Sequence, residues 1–109
     1  MDETQNWVRV AAAADVQQGD MLAVDVGRAG IALYHLDDGS WHATDNECTH
    51  EFALLTDGWL DGCEIECPLH AGRFDVRDGK ALCAPVHAPV KVYPVRIEGD
   101  AVMVRVDPG

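Results

Sequence analysis

Cys48-Thr49-His50 and Cys67-Pro68-Leu69-His70 decide the reading of this chain. Each stretch sets one thiol and one imidazole a few residues apart, and sixteen residues separate the two pairs. Together they supply two sulfurs and two nitrogens at matched short spacings. A [2Fe–2S] cluster in which two cysteines hold one iron and two histidines hold the other needs that mixture. Neutral imidazoles in place of thiolates remove negative charge. Such a cluster accepts an electron more readily than an all-cysteine one, whose potential is about −400 mV.

Two other uses of these residues compete with that reading. A structural zinc also takes four such ligands, but the C2H2 finger keeps each residue type in its own pair, whereas each pair here is mixed. A Cys48–Cys67 disulfide would leave His50 and His70 without a purpose, in a composition unlike that of a secreted disulfide scaffold. The mixed spacing favours the cluster over both.

The sequence around the ligands reads as short strands. Trp7–Val10, Met21–Val26, Ile31–Leu36, Trp41–Thr44, Glu64–Glu66, Val90–Val95 and Val102–Val106 are expected strands. In the last, Val102, Val104 and Val106 alternate with Met103 and Arg105. Turns are expected at Asp38-Gly39, Asp57-Gly58, Asp61-Gly62, Asp78-Gly79 and Glu98-Gly99-Asp100. Ala11–Ala14 is too short to count as a helix, and the class is all-β. Both ligand pairs fall in loops. A strand points alternate side chains to opposite faces, so C-x-H could share a face there but C-x-x-H could not. Pro68 restrains the second loop, and Gly72 permits close backbone approach to the cluster sulfides.

Charge narrows the function further. The chain carries 19 acidic and 8 basic residues, a net charge of −11. Between Ala43 and Asp75 stand Asp45, Glu47, Glu51, Asp57, Asp61, Glu64, Glu66 and Asp75, with Arg73 as the sole base, so this window accounts for −7. Such a face keeps a small protein soluble and also steers it toward basic partners. Nucleic acid is excluded, because phosphate contacts require Lys and Arg. The acidic, polar start Met1-Asp2-Glu3-Thr4-Gln5 has no signal-peptide pattern, and no apolar run is long enough for a membrane span. A soluble cytoplasmic protein is expected, with Cys63 and Cys83 as buried or half-buried thiols. A bridge between those two stays open from sequence, although a reducing cytosol disfavours it. The 109 residues suit one domain. His35, His42 and His87 are scattered and form no facial set of the kind that activates oxygen. His35 and His42 read as strand residues at the surface or satisfied by one hydrogen bond, and Trp7, Trp41 and Trp59 as packing residues.

The stretches Cys67-Pro68-Leu69-His70-Ala71-Gly72-Arg73-Phe74-Asp75, Asp78-Gly79-Lys80-Ala81-Leu82 and Cys83-Ala84-Pro85-Val86 join the ligands in a wider pattern. With them the chain, from Trp7 to Val106, resembles a Rieske-type [2Fe–2S] ferredoxin of a bacterial aromatic-ring-hydroxylating dioxygenase system. Ala71 stands where such ferredoxins usually carry Gly, a small departure. The resemblance implies the Rieske fold: an antiparallel β-sandwich or barrel base with a small inserted cluster-binding subdomain. Residues 1–109 would form a single domain, with the base at 5–42 and 84–107 and the cluster-binding part at 43–83. It implies that Cys48 and Cys67 bind the inner iron, and that His50 and His70 bind the outer iron through Nδ1 with their far edges toward solvent. Ala84-Pro85-Val86 would be the loop covering one side of the cluster, and His87, just beyond it, is read as a bystander.

The activity implied is electron transfer, not catalysis. One [2Fe–2S] cluster per monomeric chain would take single electrons from a flavin-dependent ferredoxin reductase. It would pass them to the Rieske centre of a terminal oxygenase, which selects the aromatic substrate. No membrane or nucleic-acid partner is expected. A Rieske-like small subunit of an assimilatory nitrite reductase is the rival of similar size, but such subunits frequently lack the ligands present here. High-potential Rieske proteins carry cysteines at the positions of Ala53 and Leu69, joined in a disulfide, and hydroxyls at the positions of Gly72 and Phe74. The missing hydroxyls, among acidic residues that also disfavour reduction, imply a potential at the low end of the Rieske range, about −150 mV.

Overall fold

A seven-residue strand, Ala29–His35 (β3), organises the molecule because both of its faces are buried. Ile31 and Leu33 enter one core, with Ala43, Val102 and Val104, whereas Ala32 and Tyr34 enter a second, with Cys48, Cys67, Ile65 and Phe74. Successive side chains of a strand face opposite ways, so one strand can wall off two cores. The sequence there, Ile31-Ala32-Leu33-Tyr34, is the near-continuous apolar run that a strand buried on both sides requires.

The structure is a computed structural model and describes residues 7–27, 29–48, 53–69, 72–83 and 88–106. The other strands it describes are Trp7–Ala12 (β1), Asp20–Val26 (β2), Trp41–Asp45 (β4), Trp59–Asp61 (β5), Glu64–Glu66 (β6), Arg73–Asp75 (β7), Ala81–Cys83 (β8), Val92–Tyr93 (β9), Val95–Glu98 (β10) and Ala101–Arg105 (β11). They form three sheets ordered β1-β11-β10, β2-β3-β4-β9 and β5-β6-β7-β8, and every pairing among them is antiparallel. The fold is all-β, as expected. Val102 and Val104 are fully buried, and Met103 and Arg105 face the other way, matching the alternation read from β11.

Two departures have local causes. The expected strand Val90–Val95 is divided: Val92–Tyr93 joins the sheet of β3 and β4, and Val95–Glu98 joins that of β11. Pro94 lies at the change of sheet, where it has no N–H to give to a ladder, and its carbonyl accepts from Arg105 N–H at 3.0 Å. The small sheet β5-β6-β7-β8 is built of three-residue strands, of which only Glu64–Glu66 was legible. Its turns use glycine where the chain approaches another backbone. A Cβ on Gly58 would stand 1.9 Å from the Glu66 carbonyl oxygen, and one on Gly79 (φ +80°) would stand 2.1 Å from that of Val90. No side chain fits at either place.

Candidate metal centre

Cys48 and Cys67 come from loops sixty ångströms of extended chain apart, yet their thiols occupy one core, with Cys48 4% exposed and Cys67 0% (about 3.3 Å per residue of extended chain). Each loop is closed by the same hydrogen bond. Cys48 N–H donates to the Ala53 carbonyl (2.9 Å) and Cys67 N–H to the Gly72 carbonyl (2.7 Å), five residues on in both cases. The C-x-H and C-x-x-H spacings thus sit in loops of equal closure. His50 and His70 lie outside the described residues, as do Glu51, Ala71, Ala84-Pro85-Val86 and His87.

The roots of the loops are polar and rigid. Before Cys48, the buried Asn46 accepts from Thr56 N–H on Oδ1 (2.9 Å) and donates Nδ2–H to Thr56 Oγ1 (3.0 Å). Its own N–H donates to the Gly30 carbonyl on β3, and Leu55 N–H donates to the Asn46 carbonyl, both under 3 Å. Glu47 and Leu54 complete the closure as a β-bridge. This anchor was not read from the sequence, although an Asn two residues before a ligand cysteine is a usable signal, since its amide can bridge two strands of a loop.

The second loop grows from the β6–β7 hairpin, whose faces divide cleanly. Leu60, Ile65, Phe74 and Ala81 are opposite one another across the sheet and line the core that holds the two thiols. On the outer face stand Trp59, Glu66, Arg73 and Cys83 in one row and Asp61, Glu64 and Asp75 in the next. Arg73 ties the outer rows together. Its Nη2 donates to Glu66 Oε1 at 2.8 Å, its Nη1 to Glu64 Oε1 at 3.3 Å, and Asp61 stands 3.9 Å away. Arg77 donates two hydrogen bonds from its guanidinium and one from its backbone N–H to Asp75 and thereby holds that carboxyl below its ordinary range. In the core, burial pushes the Tyr34 phenol well above its ordinary value, against the opposing effect of its hydrogen bond with Thr44 Oγ1 (2.9 Å).

Other sequence expectations fall as follows. His35 donates Nδ1–H to the Val16 carbonyl (2.8 Å) and stacks on Trp41, and His42 Nε2 bonds Ser40 Oγ (3.0 Å). Burial lowers the His42 pKa. Both histidines are strand residues remote from a metal role. Trp41 packs as expected and Trp7 lies under Arg96, but Trp59 is no core residue: it is 60% exposed on the edge strand β5. Cys63 is half-buried. Cys83 is exposed, contrary to expectation, because β8 is the other edge and its outer row faces solvent. Neither is in a disulfide.

Two buried thiols that reach one apolar core from separately rooted loops have the sulfur chemistry that half of a two-iron centre needs. The donor chemistry fits the cluster. The Rieske [2Fe-2S] domain model matches residues 6–94. This chain belongs to that family. It is 51% identical over 104 residues to the ferredoxin component of the naphthalene 1,2-dioxygenase/salicylate 5-hydroxylase systems of Ralstonia sp, covering 95% of this chain and 99% of the relative. A ferredoxin of Sphingomonas yanoikuyae B1 superposes with a TM-score of 0.88 at 42% identity, over 94% of this chain and 100% of that one. A ferredoxin-sized chain from a complex of reduced oxygenase and oxidized ferredoxin in carbazole 1,9a-dioxygenase gives 0.86 at 39%, over 93% and 94%. The protein is therefore a Rieske ferredoxin of the aromatic-dioxygenase kind, an electron-transfer component that carries a Rieske-type [2Fe–2S] cluster and is not itself a catalyst. Among the described residues no helix is long and apolar enough to cross a membrane.

Proposed function

We propose that Cys48, His50, Cys67 and His70 hold one [2Fe–2S] cluster, thiolates on the inner iron and imidazoles on the outer. The cluster-binding part is residues 43–83, set on a base of 5–42 and 84–107. The observation that carries this reading is the burial of both cysteine thiols in one core from loops closed by the same hydrogen bond. When bound, the cluster supplies reversible one-electron chemistry at low potential. The residues of the chain do the rest. The Asn46–Thr56 pair and the Arg73 network fix the loop roots, the Ile65–Phe74 face keeps water from the sulfurs, and the acidic outer surface meets basic partners.

In this reading the protein is a cytoplasmic monomer. It receives single electrons from a flavin-dependent reductase and delivers them to the Rieske centre of a terminal oxygenase acting on an aromatic substrate. The names of the dioxygenase-system relatives support it, as does the solved complex of a 39% identical ferredoxin with its oxygenase. The test begins with ligand replacement. His50→Ala, His70→Ala and Cys67→Ser should give largely colourless protein with little iron or acid-labile sulfide, while His42→Ala and Cys83→Ala retain both. A fully occupied cluster with unchanged visible and electron paramagnetic resonance spectra in His70→Ala would refute the ligand set. Anaerobic mixing with a flavin reductase and an aromatic-ring oxygenase then tests the carrier role by reduction and reoxidation of the visible bands.

A further inference from the structure

We infer that the Glu66–Arg73 ion pair is a latch on the second ligand loop, and that this loop is the one that opens to release the cluster. The inference rests on the ligand reading above and goes beyond it by ranking the two loops. Both follow one plan. Cys48 N–H donates to the Ala53 carbonyl and Cys67 N–H to that of Gly72. Just outside each closure two residues face each other across the neck of the loop, Glu47 with Leu54 and Glu66 with Arg73. Glu47 and Glu66 are therefore equivalent positions, and so are Leu54 and Arg73.

The reinforcement of the two necks differs. At the first, the buried Asn46 bonds Thr56 through both ends of its amide, and its backbone N–H reaches the Gly30 carbonyl on β3 (2.9 Å). These bonds are neutral, and they tie the loop to the strand that divides the two cores. At the second neck the side-chain tie is charged and lies on the outer face. Arg73 donates from Nε (3.1 Å) and Nη2 (2.8 Å) to Glu66 Oε1 and from Nη1 to Glu64 Oε1 (3.3 Å), with Asp61 3.9 Å away. One guanidinium thus faces three carboxylates. Ion pairs near the surface contribute little and fade with salt, whereas stranding a buried amide partner is expensive. Local opening follows the weaker tie. Residues 67–72 then open first, taking Cys67 with them, while Cys48 stays on its root. Arg73 acts on the cluster through this neck, as a positioning residue. Static burial ranks the thiols the other way, with Cys48 4% exposed and Cys67 0%. The order in which they react during cluster loss therefore separates opening from exposure.

The test holds cluster-loaded protein anaerobically with an iron chelator at about 0.01 M ionic strength. Bleaching of the visible bands follows cluster loss, and timed pulses of iodoacetamide, read by peptide mass spectrometry, follow each thiol. The exposed Cys83 should label from the start and serves as an internal control. Wild type should label Cys67 ahead of Cys48. Arg73→Gln should keep the visible spectrum and lose the cluster about threefold faster, the size an exposed ion pair supports. That ratio should shrink toward one in about 1 M salt, where the Debye length is about 3 Å. Arg73→Lys should restore most of the retention at low salt, which a packing role alone would not do. Arg77→Gln removes an arginine that pairs with Asp75, away from the neck, and should behave as wild type. Asn46→Ala unpins the first root and should let Cys48 label no later than Cys67. Cys48 labelling first in wild type, or an Arg73→Gln cluster as long-lived as the wild type's at low salt, overturns the inference and leaves the ligand set standing. Equal acceleration by Arg77→Gln also overturns it, by making the effect one of net charge. A wild type that takes up no cluster, or a His70→Ala protein that keeps a full one, defeats the functional reading, and the inference falls with it.

Discussion

Adding one hydroxyl to the core at Phe74 should move the midpoint potential upward. Phe74 is fully buried in the cluster of side chains that includes Cys48 and Cys67. Among the buried members of that cluster the side-chain hydrogen-bond acceptors are the two sulfurs and the Tyr34 hydroxyl, and the last is already paired with Thr44. A tyrosine at position 74 therefore has two fates. Its O–H reaches a cysteine sulfur, or it stays buried without a partner. In the first case the bond is stronger in the reduced, more negative state, so reduction is favoured and the potential rises. A hydrogen bond to a charged group is worth about 1.5–3 kcal/mol. At about 59 mV per tenfold change for one electron, that is a rise of at most ~65–130 mV, since only the difference between redox states counts.

In the second case the potential stays put, and the protein loses about 1–3 kcal/mol of stability to an unsatisfied buried hydroxyl. Protein-film voltammetry of Phe74→Tyr beside wild type, with denaturant unfolding of the same samples, separates the two. The wild type is expected near the bottom of the Rieske range, at about −150 mV, because Phe74 and Gly72 offer no hydroxyl to the sulfurs. A clearly positive wild-type midpoint at neutral pH would refute the low-potential assignment. A crystal structure of Phe74→Tyr showing the O–H···S contact, with no change in midpoint, would refute the hydrogen-bond reasoning.

The acidic surface and the loop root each lead to a further measurement. Neutralising the exposed carboxylates Glu47, Asp57 and Asp61 together should slow reduction by the reductase at about 0.01 M ionic strength. The deficit should close toward 0.15 M, as the Debye length shrinks from about 30 Å to about 8 Å; equal rates at low salt would leave the charge a role in solubility alone. Asn46→Ala strands the Thr56 N–H and should cost about 1–3 kcal/mol in unfolding experiments while speeding cluster loss, whereas stability within ~0.5 kcal/mol of wild type would show that the anchor is dispensable.

What the sequence made legible, and what it hid, follows from the length of the signals. Four candidate ligands at two short spacings point to a chemistry without any fold, and the five-residue alternation of β11 survives as a buried and a half-exposed face. The small sheet was mostly invisible because three residues cannot show a period of two. The same brevity hid which way its rows face, so Trp59 read as a packing residue and Cys83 as buried or half-buried when both stand on the outer rows of edge strands. Ile31-Ala32-Leu33-Tyr34 announced a strand, but an unbroken apolar run does not reveal that its two faces serve different cores. The Asn46 anchor depends on Thr56, ten residues away, and no local pattern carries it.

The division of the small sheet into two faces has a consequence for how the protein can be altered. Its inner row, Leu60, Ile65, Phe74 and Ala81, shares a core with both thiols and with Ala32 and Tyr34 of β3. Substitutions there change the polarity and hydrogen bonding around the sulfurs, the factors that set a cluster potential. The outer rows lie across the backbone from that core, and although Arg73 pairs with Glu64 and Glu66 there, the face stays net acidic. Solvent screens what is left. Replacing Trp59, which is uncharged and 60% exposed on the outer row, should accordingly leave the midpoint where it was, whereas Phe74→Tyr should shift it. Strands of three residues are long enough for this separation because adjacent side chains already point to opposite faces. One residue of register is all that divides side chains sharing a core with the sulfurs from side chains that face outward.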